Sequence, residues 1–108
     1  MITIKNVIGL IGLAKRSGRL SSGESACKEA IRMGKSHLII LAADTGINTS
    51  KSILDSCKYY NVKYIINFTK ESLGRAIGKS YAAVLSVNDE GFAKGILKNI
   101  QANINEGE

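Results

Sequence analysis

Apolar residues recur at helical spacing through residues 4–16, where Val7, Leu10, Ile11 and Ala14 share a face and "KRSG" closes the segment with cations and a glycine. A short strand is expected at about residues 19–22. Ser21 and Glu24 then have the spacing of a capping box, and Ala26, Cys27, Ala30, Ile31 and Met33 make an apolar stripe with Lys28, Glu29, Arg32 and Lys35 outside it. This second helix is expected to end near Gly34. "HLIILAAD" is a continuous apolar run ending at Asp44, the pattern of a strand covered on both faces. A third helix follows over about residues 49–60 on Ile53, Leu54 and Cys57, then strand-like "VKYIINF", a short helix "KESLGRAIG" and strand-like "YAAVLSV". The last helix, from about Asp89 to Ile100, buries Phe92, Ala93, Ile96, Leu97 and Ile100, and Asn88, Asp89 and Glu90 suit its positive end. The alternation predicts an α/β protein, an α/β/α sandwich.

The chain has 108 residues, 44% of them hydrophobic, enough for one domain and one core. Residues 1–102 are expected to form that domain and "NINEGE", residues 103–108, a frayed tail. No stretch approaches the roughly 18 apolar residues of a membrane span, and "MITIKNVIGLIGLAKRSG" lacks the charged start and cleavage site of a leader. A cytoplasmic protein with no membrane association is expected. Cys27 and Cys57 fall within helical patterns and read as reduced, buried thiols.

Charge narrows the function. Lys and Arg number 15 against 9 Asp and Glu, a formal net charge of +6. Residues 1–35 hold Lys5, Lys15, Arg16, Arg19, Lys28, Arg32 and Lys35 against Glu24 and Glu29, whereas the far end is slightly acidic. Segregated positive charge suits a polyanion, because each cation set on a phosphate releases condensed counterions.

Catalytic motifs fail one by one. "GRAIGKS" has three residues between Gly74 and Gly78 where a phosphate-binding loop needs four, and Lys79 and Ser80 precede a strand instead of opening a helix. "GLIG" lacks the three-glycine spacing of a dinucleotide site. One histidine, His37, leaves little from which to build a metal site, no triad can be assigned from spacing, and neither thiol has an activating partner. No enzyme, metal or cofactor is expected.

Three stretches carry a family resemblance that spans about residues 4–100: "LAKRSGRLSSGESACKEAIRMGKSHLIILAAD", "SKSILDSCKYYNVKY" and "TKESLGRAIGKSYAAVLSV", the last with its L-G-x-A-x-G run. The chain resembles the ribosomal L-seven-Ae / L-thirty-e family of kink-turn RNA-binding proteins, and within it the small bacterial ribosomal-like members. The resemblance implies a three-layer α/β/α sandwich with a central mixed sheet of about four strands. It also implies non-catalytic binding of a sharply bent RNA internal loop, in ribosomal or other translation-related RNA, by a monomer. A protein-interaction module of the same fold is the alternative.

Residue by residue, the carry-over is partial. Family members open helix two with Gly-x-Asn-Glu and place a lysine one turn on; the matching positions are Gly23, Ser25, Ala26 and Glu29. Only the glycine is kept. Lys28 lies one residue before the family lysine, about 100° away around the helix, and "TGINTS" lacks the family's Glu-Pro. The loop that meets the extruded base in the family reads Lys79, Ser80, Tyr81, with a tyrosine that can stack on a base where archaeal and eukaryotic members often carry arginine. Resemblance and charge together mark Arg16, Ser22, Gly23, Glu24, Ser25, Lys28, Arg32, Lys79, Ser80 and Tyr81 as RNA-binding candidates. Lys28, Arg32 and Lys35 would form a basic ridge, extended by Lys15, Arg16 and Arg19 at the preceding turn. Glu24, which repels phosphate, reads as the capping-box residue ahead of a guanine-edge acceptor.

Overall fold

A computed structural model describes residues 4–107, with side chains over residues 6–100. Its elements are α1 (Ile4–Arg16), β1 (Leu20–Ser22), α2 (Glu24–Arg32), β2 (Leu38–Leu41), α3 (Ile47–Tyr60), β3 (Tyr64–Ile66), α4 (Lys70–Ala76), β4 (Val84–Val87) and α5 (Glu90–Gly107). The expected order of helices and strands is the observed one. Helix α3 begins two residues before the expected Thr49, on an N-cap Gly46 that offers no side-chain bond. Helix α5 runs on to Gly107, into the segment named as a tail, and Glu108 lies outside the described residues.

Four strands form one mixed sheet in the order β1-β4-β2-β3. Strand β4 is antiparallel to β1 and to β2, with Ser21 opposite Ser86 and Ile40 opposite Leu85, and β2 runs parallel to β3 with Ile40 opposite Ile65. The apolar run of β2 is buried on both faces, as its composition requires. Leu38 and Ile40 pack with Val7 and Ile11 of α1, Leu73 of α4 and Ile96 of α5. Ile39 and Leu41 pack on the other face with Cys27 and Ile31 of α2 and Ile53 and Cys57 of α3. Each such side chain contributes roughly 1.5–3 kcal/mol on burial. Two helical layers therefore hold a sheet whose strands have only three or four residues.

The stripe on α2 is narrower than its composition suggests. Cys27, Ala30 and Ile31 are buried, but Ala26 and Met33 are exposed. Arg32 is the last helical residue, and Gly34 with φ 74° turns the chain toward β2, so Met33 leaves the helix before its face can reach the core.

Strand β4 starts at Val84, three residues after the expected start at Tyr81, because residues 79–82 are tied to α4 instead of the sheet. Lys79 N–H donates to the Gly74 carbonyl at 2.8 Å and Ala82 N–H to the Lys70 carbonyl at 2.9 Å. Here the chain passes so close to α4 that a Cβ on Gly74 would stand 2.4 Å from the Tyr81 Cα. Only glycine fits.

Both cysteines are free and buried. Burial pushes the Cys27 thiol from 9.0 up to about 12, with the neighbouring Cys57 adding to the shift, and its Sγ lies 3.6 Å from the Ser21 and Val84 carbonyls. Burial pushes Cys57 up to about 11.

Gly74→Ala gains about 1 kcal/mol of helix propensity but forces a methyl into backbone, where overpacking costs typically 1–3 kcal/mol. Urea unfolding should show net destabilisation. Gly9→Ala on α1, where nothing lies within 4 Å of the added Cβ, should stabilise by about 0.5–1 kcal/mol. A thiol held protonated in the folded state stabilises fully below pH 9 and loses that contribution as pH rises toward 12. Between pH 8 and 10 the protein should lose about 1.4 kcal/mol more than Cys27→Ala does, read from paired urea melts.

Candidate functional site

The turn from β1 into α2 is built on Gly23, whose φ of 95° and ψ of 155° form a backbone conformation that is essentially restricted to glycine. Gly23 N–H donates to the Val84 carbonyl at 3.1 Å, which ties the turn to the start of β4. Gly23 is itself the N-cap and supplies no side chain, so the first N–H groups of α2 face outward without a side-chain partner.

This corrects the expected capping box. Ser21 lies within β1, and its hydroxyl accepts from Asn88 Nδ2 at 2.9 Å. Glu24 is the first helical residue, not the third, and so cannot reach back to close the box. Its Oε1 instead accepts from Thr49 Oγ1 of α3 at 3.0 Å.

Opposite the turn stands the segment that α4 holds in place. Lys79 Nζ donates to Ser22 Oγ at 3.3 Å, joining the two sides. Tyr81 is 67% exposed and so lies outside the buried core. Between the two sides lies an open groove of about 530 Å³, lined by Ser22, Gly23, Glu24, Thr49, Lys79, Ser80, Tyr81, Ala82 and Ala83. Six of the candidate residues thus converge from segments more than fifty positions apart.

Ser25, Lys28 and Arg32 lie beside this groove in a second one between α2 and α3, which they share with Glu24, Glu29, Ser56 and Tyr60. The expected basic ridge is partly committed elsewhere. Lys28 is half-buried and its Nζ donates to Ser52 Oγ at 2.8 Å, and Arg32 pairs with Glu29 at 3.2 Å on the surface. Lys35 falls in the turn after α2 has ended, so it does not continue the helical spacing. Arg16 stands apart, in a groove between α1 and α5 with Asn6, Leu13 and Asn99. Arg19 also leaves the ridge: its guanidinium pairs with Asp89 at 2.7 Å, and Asp89 accepts from Phe92 N–H at the start of α5. Asp44 caps α4 by accepting from Lys70 N–H at 2.8 Å.

Thr49, Ser56 and Tyr60 line these grooves and Ser52 holds Lys28, and none of the four stands out in the sequence as a candidate. They recur three or four positions apart, so α3 presents a polar stripe to α2, and that spacing was the available signal. Among the described residues, no group of three His, Cys, Asp or Glu side chains could hold a metal ion. No helix among them is long and apolar enough to cross a membrane.

The family described as "Ribosomal protein L7Ae/L30e/S12e/Gadd45 family" matches residues 5–97. The chain is 39% identical over 88 residues to RNA-binding protein YlxQ of Bacillus subtilis, covering 82% of this chain and 88% of that protein. It is 34% identical over 87 residues to large ribosomal subunit protein eL30 of Methanobrevibacter smithii, covering 75% of this chain and 84% of that protein. A Bacillus halodurans protein whose structure was solved with its function unknown superposes with a TM-score of 0.84 at 37% identity, covering 88% of this chain and 96% of that one. The fold also matches the Giardia lamblia 15.5kD RNA binding protein, with a TM-score of 0.74 at 23% identity over 91% of this chain and 87% of that one. With a match that runs through all four strands and into α5, the chain belongs to the ribosomal protein L7Ae/L30e/S12e/Gadd45 family.

Proposed function

We propose that this chain binds structured RNA without catalysis, seating the groove between the β1–α2 turn and residues 79–83 on a kinked internal loop of ribosomal or other translation-related RNA. The relatives named as RNA-binding and ribosomal proteins support the substrate class. The observation that carries the reading is the convergence in one groove of an exposed aromatic ring, a lysine and an uncapped helix start. Gly23 allows close backbone approach, and the free N–H groups and dipole of α2 favour a phosphate there. Lys79 adds a positive charge at the rim, and Tyr81 adds a face on which an unpaired base stacks. A straight duplex keeps its bases stacked and offers that ring nothing, whereas an internal loop splays a base outward. The protein acts as a cytoplasmic monomer, and its place on the ribosome follows from the RNA that it holds.

Binding to a kink-turn hairpin and to a straight duplex of equal length, compared at about 0.15 M salt, tests this reading. The hairpin should bind more tightly; equal affinities would leave a generic polycation. Lys79→Ala should weaken both RNAs alike and lower the slope of log affinity against log salt by roughly one. Tyr81→Ala should cost about 1–3 kcal/mol on the kinked RNA alone and leave that slope nearly unchanged. Since Tyr81 is exposed, its thermal melt should match that of the parent protein.

A further inference from the structure

Glu24 is an acid in a groove read as taking a polyanion, and the capping role that would explain it is absent. Among the described residues, no cation lies within ion-pair distance of its carboxylate. One oxygen, Oε1, is fixed by the Thr49 hydroxyl at 3.0 Å, while Oε2 has no hydrogen-bond partner among these residues. The carboxylate is therefore oriented but not neutralised. It lines the same groove as the exposed ring of Tyr81, with the Lys79 ammonium bridging to Ser22 on the rim. An acceptor-only group beside a stacking face selects a ligand that presents adjacent donors.

We propose that this groove selects an unpaired guanine, and that Glu24, held by Thr49, is the residue that determines the choice. The inference rests on the RNA reading above. Guanine alone among the four bases presents two neighbouring donors on its Watson–Crick edge, N1–H and the N2 amine, and these match the two oxygens of a carboxylate. Adenine and cytosine turn a ring-nitrogen lone pair toward it, and uracil offers a single N–H. With the base stacked on Tyr81, its phosphate falls to Lys79 and the open N–H groups of α2. Ser25 and Ala26, the next two residues of the helix, are exposed and carry no carboxylate, so Glu24 is the acceptor-only group at the start of α2. Thr49 is a positioning residue: it touches the carboxylate, not the base.

The test uses the intact protein and four kink-turn hairpins that differ only in the extruded nucleotide: guanosine, inosine, adenosine or uridine. Guanosine should bind roughly ten- to a hundredfold more tightly than adenosine, with inosine, which keeps N1–H and lacks the amine, in between. Glu24→Gln should abolish that preference and at the same time tighten binding of the adenosine RNA, because a negative charge beside phosphate is removed. Thr49→Val should reduce the preference without altering adenosine affinity, and Thr49→Ser should restore it. Equal affinity for all four hairpins, each bound better than duplex, overturns the guanine assignment and leaves the RNA reading standing. Equal tightening of guanosine and adenosine RNAs in Glu24→Gln likewise overturns it, since the carboxylate would then only repel. Binding no better than duplex for every hairpin overturns both.

Discussion

The close approach of Gly74 to the backbone at Tyr81 is the contact on which the rest of the site depends. An added methyl there would lie at 2.4 Å from the Tyr81 Cα, far inside van der Waals contact, so the absence of a side chain on α4 sets the path of residues 79–82. That path decides three things. It delays β4 until Val84, places the Tyr81 ring in solvent, and brings Lys79 within reach of Ser22 across the groove. The carbonyls of Lys70 and Gly74, which accept from Ala82 and Lys79, make the segment part of α4's packing instead of a free loop. A groove wall with that support is already ordered before any ligand arrives, which lowers the conformational cost of binding.

The opposite wall is held by a different device. Gly23 takes a backbone conformation that other residues avoid, and its N–H bonds to the first residue of β4, so the same strand that ends one wall anchors the other. Behind it, α2 is fastened to α3 by polar rungs, Glu24 to Thr49 and Lys28 to Ser52, above the buried contacts of Cys27 and Ile31 with Ile53 and Cys57. The apolar layer fixes where α2 lies; the rungs fix where its charged side chains point. On the α2 side of the sheet, Ser86, the one buried polar side chain among the described residues, lies 2.7 Å from both Ser36 Oγ and Asn88 Oδ1, and Asn88 donates onward to Ser21. This chain satisfies a hydroxyl that would otherwise weaken the sheet beneath the site.

Charge alone is a poor guide to which cations meet a ligand. Arg19, Arg32 and Lys28 all lie in the basic first third of the sequence, yet each has a partner: Asp89, Glu29 and Ser52 respectively. The exposed Arg32–Glu29 pair is worth little and breaks readily, whereas Arg19 is tied to the residue that caps α5. Lys79, from the far half of the chain, stands on the groove itself.

The sequence by itself determined the order of helices and strands, the double-sided burial of β2 and the catalytically empty motif set, because periodicity and strict spacing are local properties. It also brought forward six of the residues that line the groove, through motif positions that survive as Gly23 and the Lys79–Tyr81 run. What it could not determine was pairing across the fold. Ser21 and Glu24 have capping-box spacing in one dimension, but β1 claims Ser21 for the sheet and Thr49, twenty-five positions away, claims Glu24. The ridge of Lys28, Arg32 and Lys35 fails for the same reason: a helix that stops at Arg32 and a neighbour that presents Ser52 are facts of tertiary packing. Arg16, adjacent in sequence to the turn, is carried to the α1–α5 groove because α1 must bury Val7 and Ile11 against the sheet and α5. Side-chain type and spacing write the elements, and only the packing of those elements decides which polar atoms meet.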